Sequence, residues 1–348
     1  MSQNLFSALR NAFPVDLDGC AIETADGEPL SYRWRDIDRA TAMLANLLDS
    51  LNLPAGARVA VQTEKSVEAL MLYLAVLRAG LVYLPLNTAY QAAEIEYFIG
   101  NAEPSVVVCS GKNFGWFSQL AFKAGTVHVF TLNDDRSGSL LQRAAQHSDR
   151  HTPAERTADD LAAILYTSGT TGRSKGAMLS HGNLLSNALT LKSHWGWQQG
   201  DVLIHALPIF HVHGLFVASH GALLSGSKMI WFSKFDPKAV LARAATQSDH
   251  FETVQSAPDD LAAILYTSGT TGRSKGAMLT HGNLLSNALV LKDYWGWKAG
   301  DVLIHALPIF HVHGLFVASH GALLNGSKMI WFAKFDPRPP SPAWPRPR

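Results

Sequence analysis

The stretch LAAILYTSGTTGRSKGAML occupies residues 161–179 and returns unchanged at residues 261–279. In each copy an apolar run, LAAILY, precedes a loop of glycine and hydroxyl residues, and it has the length and composition of a buried strand. The segment that starts at His181 has helical spacing, with apolar side chains on one face at Leu184, Ala188, Leu191 and Trp195. The sequence therefore predicts a strand, a loop and a helix in that order, an arrangement typical of phosphate binding.

The predicted loop has the residue types that hold phosphate groups. Glycines let the backbone turn so that several N–H groups point at one anion, and they stand at Gly169, Gly172 and Gly176. Hydroxyl donors are present at Thr167, Ser168, Thr170 and Thr171. Lys175 adds a positive charge for phosphate oxygens. The common P-loop pattern, Gly-x-x-x-x-Gly-Lys-Ser/Thr, does not fit GTTGRSKG, which argues against a generic GTPase or ATPase, while composition alone leaves an ordinary surface turn open.

Upstream of this loop, strand-like and helix-like patterns alternate. Short apolar runs stand at 58–62, 82–86 and 105–109. Between them, apolar residues recur at helical spacing over 67–77 and about 92–102. Short β-branched strands that alternate with amphipathic helices predict an α/β fold, in which helices cover both faces of a parallel sheet.

A long internal repeat follows. Residues 159–237 and 259–337 differ at only eight of 79 positions, and the register never slips. Weaker agreement extends upstream to 138 and 238, so the repeating unit is about a hundred residues long and indicates a segmental duplication, since solenoid repeats are much shorter. We divide the chain into an N-terminal α/β segment at 1–137, a first copy at 138–237, a second at 238–337 and a proline-rich tail, expected to be disordered, at 338–348.

The two copies compete for one position in the fold. A sheet built from a single βαβ series has one place for each strand, so we expect only one copy to be native-like. The other would expose apolar strand and helix faces, which favours domain-swapped self-association. We interpret the repeat as the product of a fusion or misassembly of two related coding segments.

Bulk composition excludes several classes of protein. With 29 basic against 28 acidic side chains, the chain shows no electrostatic footprint for nucleic acid or an anionic membrane. Histidines and a proline interrupt the most apolar stretch, 202–224, so we expect no membrane span. The two cysteines, Cys20 and Cys109, indicate a reducing compartment, and we expect a cytoplasmic protein, although the N-terminus weakly resembles a transit peptide.

The motif YTSGTTGRSKG closely resembles the signature loop of the acyl-activating, adenylate-forming superfamily. Residues 62–90 and the segment LPIFHVHGLFVA at 207–218 also resemble the start of a malonyl-CoA synthetase. The resemblance covers residues 1–237 and returns over 259–337 only as the second copy. It implies the incomplete N-terminal region of an adenylate-forming α/β enzyme.

The resemblance also implies a reaction and its participants. Such enzymes use ATP with Mg²⁺ to convert a carboxylic acid to an acyl-adenylate, and then pass the acyl group to coenzyme A. It assigns catalytic roles to Lys175 and to His211, which would lie near the acyl pocket. It assigns nucleotide binding to Thr167, Ser168, Gly169, Thr170, Thr171, Gly172 and Lys175, and in the second copy to Thr267, Ser268, Gly269, Thr270, Thr271, Gly272 and Lys275.

Other histidines receive structural interpretations. His211 and His213, without a nearby Cys, Asp or Glu, make a poor ligand set, so we expect no zinc site. His205 and His220 are read as hydrogen-bonded residues in or near the core.

Family segments that hold adenine and ribose and carry a C-terminal catalytic lysine are not found in this sequence. We therefore expect a truncated acid–CoA ligase with little or no activity. The alternatives are an active malonate-type ligase, a non-catalytic fragment that binds nucleotide or protein, and an interaction module that uses exposed repeat faces.

Overall fold

A computed structural model describes residues 3–167, 174–267 and 275–333. The chain divides into two compact units, unit 1 at Met1–Ser248 and unit 2 at Asp249–Arg348. The first copy of the repeat thus lies in unit 1, and the second lies in unit 2 from Asp249 onward, while its first residues, 238–248, belong to unit 1. The predicted tail at 338–348 lies outside the described residues, and the predicted segment boundaries remain predictions. Within the described ranges, no helix is long and apolar enough to cross a lipid bilayer.

The strands of unit 1 are short and mostly apolar, as the sequence predicts. In chain order they are β1 (Cys20–Thr24), β2 (Ser31–Arg33), β3 (Arg58–Gln62), β4 (Val82–Pro85), β5 (Val106–Cys109), β6 (His128–Thr131), β7 (Leu161–Thr167), β8 (Lys175–Ser180), β9 (Val202–His205) and β10 (Lys228–Trp231).

Helices alternate with these strands. They are α1 (Leu5–Asn11), α2 (Trp34–Asp49), α3 (Val67–Arg78), α4 (Ala92–Ala102), α5 (Phe114–Lys123), α6 (Ser139–Ala144), α7 (His181–Trp195), α8 (Ser219–Ser225) and α9 (Pro237–Ala244). A 3₁₀ turn at Gly111–Asn113 and a π-helical segment at His213–Ala218 complete the described helical elements of unit 1.

The larger sheet of unit 1 has the strand order β6-β5-β3-β4-β7-β8. The first five strands run parallel, and β8 runs antiparallel to β7. Every residue of β4 and of β5 is buried, because helices cover both faces. The predicted α/β fold with a helix-covered parallel sheet is therefore confirmed, and the antiparallel strand β8 is an addition.

A smaller sheet has the order β2-β1-β10-β9, with β10 parallel to both β1 and β9. Helix α3 is fully enclosed, since all twelve of its residues are buried. It packs against α1, α2 and β4. Its last residue, Arg78, is a buried cation that donates to the carboxylate of Asp38 at 3.0 Å and to the hydroxyl of Thr41 at 3.0 Å, so its charge is compensated.

The first copy supplies strands to both sheets. Its β7 lies beside β4, with Ala163 opposite Tyr83, and its β10 lies beside β1, with Met229 opposite Ile22. In unit 2 the same sequence forms the elements β11 (Leu261–Thr267), β12 (Lys275–Thr280), α10 (His281–Trp295), β13 (Val302–His305), a π-helical segment (His313–Ser319), α11 (His320–Leu324) and β14 (Lys328–Trp331).

Strands of unit 2 pair only in twos among the described residues, β11 with β12 and β13 with β14. The loss of neighbouring strands, and of the contact with α1, exposes side chains that are buried in the first copy. Leu323 is 66% exposed where Leu223 is 0% exposed, and Trp331 is 54% exposed where Trp231 is 2% exposed. These differences agree with the expectation that one copy occupies the sheet and the other exposes its apolar faces, and they identify the first copy as the occupant.

Candidate functional site

The glycine-rich segment joins two strands of a β-hairpin. Strand β7 ends at Thr167, and β8 begins at Lys175 and pairs with it in antiparallel register. The predicted order of strand, loop and helix is therefore wrong, because a second strand stands between the loop and α7. The signal for β8 is weak, since KGAMLS has no β-branched residue. The predicted site residues Ser168, Gly169, Thr170, Thr171 and Gly172 lie outside the described residues.

The hairpin register brings Thr167 and Lys175 directly opposite each other, and both side chains are exposed. A hydroxyl donor and a cation therefore flank the open end of the loop. The next residue, Gly176, lies against Ile164, whose Cγ2 would be 3.1 Å from an added Cβ. This close approach explains a glycine at that position, because a larger side chain would push the two strands apart.

The first turn of α7 has partners other than the loop. Ser180 and Asn183 form a capping box, in which each side chain accepts from the other residue's backbone N–H. Nδ1 of the buried His181 accepts the backbone N–H of Leu5 at 3.0 Å, which ties α7 to α1. Burial lowers the pKa of His181 to about 4, so this ring is neutral near pH 7.

His211 lies in the segment between β9 and the π-helical turn, so it follows a strand of the smaller sheet. It is exposed, and its ring stacks on His213 with centroids 5.3 Å apart and planes at 15°. Among the described residues, no group of three or more His, Cys, Asp or Glu side chains could hold a metal ion. The pair is thus placed for contact with a ligand from solvent.

The interpretation of His205 and His220 as core residues is confirmed. Nε2 of His205 lies 3.0 Å from the carbonyl of Gly214, and the His205 ring stacks on the ring of Trp231. Nε2 of His220 lies 2.8 Å from the hydroxyl of Tyr73. Burial lowers the pKa of His205 to about 4 and that of His220 to about 3.

Sequence reasoning missed a lysine at the carboxyl end of β3. Nζ of Lys65 donates to the carbonyls of His205 at 2.8 Å and Phe232 at 2.5 Å, and it lies 4.3 Å from the Trp231 ring centroid. Burial lowers the pKa of Lys65 to about 7. This amine joins the end of β3 to the residues at the carboxyl ends of β9 and β10, and nothing local in the sequence marks it.

Two further side chains that sequence reasoning missed lie on α4. The hydroxyl of Tyr97 donates to the carbonyl of Ser174 at 2.9 Å. The carbonyl oxygen of the Asn101 side chain accepts the hydroxyl of Tyr166 at 2.6 Å. Helix α4 therefore contacts the hairpin on both sides of the loop.

The second copy repeats the local geometry within unit 2. The backbones of Thr267 and Lys275 are again opposite each other, and Ser268, Gly269, Thr270, Thr271 and Gly272 lie outside the described residues. His311 and His313 stack at 5.3 Å, and His305 stacks on Trp331 at 4.2 Å. The local structure therefore follows from the repeated sequence.

Known proteins resemble this chain in sequence and in structure. The chain resembles the structure of ATP-bound MatB from Rhodopseudomonas palustris, with a TM-score of 0.66 and 52% identity over 71% of this chain and 48% of that chain. It is 33% identical over 194 residues to an oxalate–CoA ligase of Arabidopsis thaliana, which covers 55% of this chain and 37% of the relative. It is 30% identical over 191 residues to a mitochondrial malonate–CoA ligase of Bos taurus, which covers 53% of this chain and 30% of the relative.

The chain thus spans about half or less of the length of the proteins it matches. The family described as AMP-binding enzyme matches it twice, at residues 18–248 and 240–346. The first match covers most of unit 1 and the second covers nearly all of unit 2. Because the matches together cover well over half of the sequence, the chain belongs to the AMP-binding enzyme family.

Proposed function

We propose that the chain functions as an ATP-dependent, AMP-forming acid–CoA ligase whose acid substrate is malonate or a similar short carboxylic acid. The observation that carries the proposal is the hairpin of unit 1, which pairs Thr167 with Lys175 at the two ends of a segment of glycine and hydroxyl residues. The 52% identity to ATP-bound MatB and the similarity to malonate–CoA and oxalate–CoA ligases support it.

The roles proposed for the site residues follow from their chemistry. Backbone N–H groups and hydroxyls between Thr167 and Gly172 would bind the triphosphate, and Lys175 would neutralise charge on its oxygens. His211, exposed beyond β9, would line the acyl side of the site. Mg²⁺ bound with the nucleotide would screen the charge that develops during adenylyl transfer.

The second copy carries the same candidate residues, from Thr267 to Gly272 and Lys275. We propose that the first copy is the functional one, because only its hairpin is part of the six-stranded sheet. A rigid sheet holds a binding loop more firmly than an isolated hairpin does. We further propose a cytoplasmic location, because both cysteines are free thiols.

Exchange of labelled pyrophosphate into ATP, measured with and without malonate, tests this function. We expect malonate-dependent exchange at a low rate, in keeping with the little activity expected from the sequence. Lys175→Ala should lower that rate by at least about tenfold, because a charge-assisted contact to phosphate is lost. The matched variant Lys275→Ala should change the exchange rate less than twofold. If the chain binds ATP but catalyses no exchange, the proposed ligase activity is wrong and only nucleotide binding is left. Equal effects of the two lysine variants on the exchange rate would contradict the proposal that the first copy is the functional one.

A further inference from the structure

Two hydrogen bonds join α4 to the two arms of the hairpin in unit 1. On the first arm, Tyr166 donates its hydroxyl to Asn101 at 2.6 Å. On the second arm, the carbonyl of Ser174 accepts the hydroxyl of Tyr97 at 2.9 Å. Each contact lies one residue before a member of the candidate site, Thr167 or Lys175. The two bonds therefore bracket the loop at its base.

Helix α4 is suited to hold the loop in place. Tyr97 and Asn101 are four residues apart, so they lie on one face of the helix. Between them, the Phe98 ring packs on Tyr166 with centroids 4.3 Å apart. The other face of α4 anchors the helix, since Ile95 and Ile99 are both fully buried against the sheet. The contacts to the loop thus come from an element that cannot easily shift.

The chain has two loops but the sequence of α4 occurs once. Residues 92–102 lie upstream of the repeat, and no similar sequence stands a hundred residues later at 192–202. The two loops share the sequence LYTSGTTGRSKGAML, and the bonds to α4 described above involve Tyr166 and Ser174 of the first copy. The second loop therefore serves as an internal reference for the effect of α4.

We propose that Tyr97 and Asn101 are positioning residues for phosphate binding, which hold Tyr166 and Ser174 and thereby fix the neighbouring site residues Thr167 and Lys175. This inference rests on the proposed function. Fixing Thr167 and Lys175 before ligand arrives lowers the cost of ordering them on binding, so the contacts raise affinity without touching the nucleotide.

Hydrogen exchange of the intact chain tests the contact without requiring any activity. Peptides 165–180 and 265–280 have different masses because Ser180 is replaced by Thr280, so each loop is measured separately. We expect Tyr97→Phe to speed exchange of the first peptide by about fivefold, the factor that follows from the loss of one hydrogen bond, and to leave the second unchanged. Equal change in both peptides, or no change in the first, would overturn the proposal.

Calorimetric binding of MgATP, inorganic tripolyphosphate and adenosine tests the role in binding. Tyr97→Phe and Asn101→Ala should each weaken the binding of MgATP and of tripolyphosphate by about fivefold and leave the binding of adenosine unchanged. A general loss of stability would weaken the binding of all three ligands. Tyr90→Phe is the matched control, since the Tyr90 ring also packs on Phe98, with centroids 4.9 Å apart, and its hydroxyl should affect binding of neither phosphate ligand.

The outcomes separate this proposal from the proposed function. If the wild-type chain binds neither MgATP nor tripolyphosphate, the proposed function fails, and the exchange experiment still decides whether α4 holds the loop. If the chain binds both and Tyr97→Phe speeds exchange without weakening either ligand, Tyr97 is a structural contact and the positioning role is wrong.

Discussion

Buried histidines couple the stability of unit 1 to pH. His181, His205 and His220 are each no more than 1% exposed, and burial lowers the pKa of each. An unfolded histidine has a pKa of about 6.5, so the unfolded chain binds more protons than the folded chain below that pH. Their contribution to stability is therefore fully present above about pH 6.5 and is lost as the pH falls through about 4.

We expect the free energy of unfolding of unit 1 to fall steeply between pH 6.5 and pH 4. His205→Gln cannot titrate, so it should flatten that slope, with up to about 3 kcal/mol less lost over the range. Urea unfolding at a series of pH values measures the effect. Parallel pH profiles for His205→Gln and the parent would show that His205 is not the coupled group.

At the scale of the element, the same sequence forms the same helices and strands in both copies. Helices α7 and α10 both span fifteen residues and begin with equivalent capping boxes. Their surroundings differ, because α8, which follows α7, packs against α1, and Leu223 on α8 is fully buried. Local sequence therefore determines the element, and long-range contacts determine how much of it is buried.

The pair Leu223 and Leu323 allows a matched test of this difference. Leu223→Ala leaves a cavity in the core, so it should destabilise unit 1 by about 2–5 kcal/mol. Leu323→Ala removes a side chain that is 66% exposed, so it should cost unit 2 about 0.5 kcal/mol or less. Pulse proteolysis in urea measures the stability of each unit separately, because the surviving fragments differ in size. A similar loss of stability from both substitutions would contradict the difference in burial.

Much of the fold could be predicted because its signals are local. The runs at 58–62 and 161–166 and the helical spacing over 92–102 all became the expected elements. The order of elements around the loop was wrong because β8 has little strand propensity. Tyr97 and Asn101 could not be found, since their partners lie 77 and 65 residues away in sequence.

At the scale of the whole molecule, unit 2 has an apolar groove whose counterpart in the first copy is covered by α1. The groove has a volume of about 540 Å³ and lies between α10 and α11, with Leu285 and Leu323 on its walls. The corresponding surface of the first copy packs against α1. Exposed apolar surfaces of this kind favour association between chains.

We expect the chain to self-associate in a concentration-dependent way through this groove. Leu323→Glu should shift the monomer–oligomer midpoint to at least about tenfold higher concentration, because a charge would be buried on association. Val290→Thr is the matched control, since Val290 is 63% exposed and the first copy has Thr190 at that position. Sedimentation velocity measures both, and association that Leu323→Glu does not weaken would contradict a role for the groove.

The pairing of β7 with β4 has a consequence for how the protein is made. Translation delivers residues 159–237 to the ribosome exit a hundred residues ahead of 259–337, when β4 is already available. Domains that emerge first fold first, so the place beside β4 is filled before its competitor exists. The direction of synthesis thus favours the first copy over the second for pairing with β4. On refolding from denaturant both copies are present at once, so this advantage of the first copy is lost.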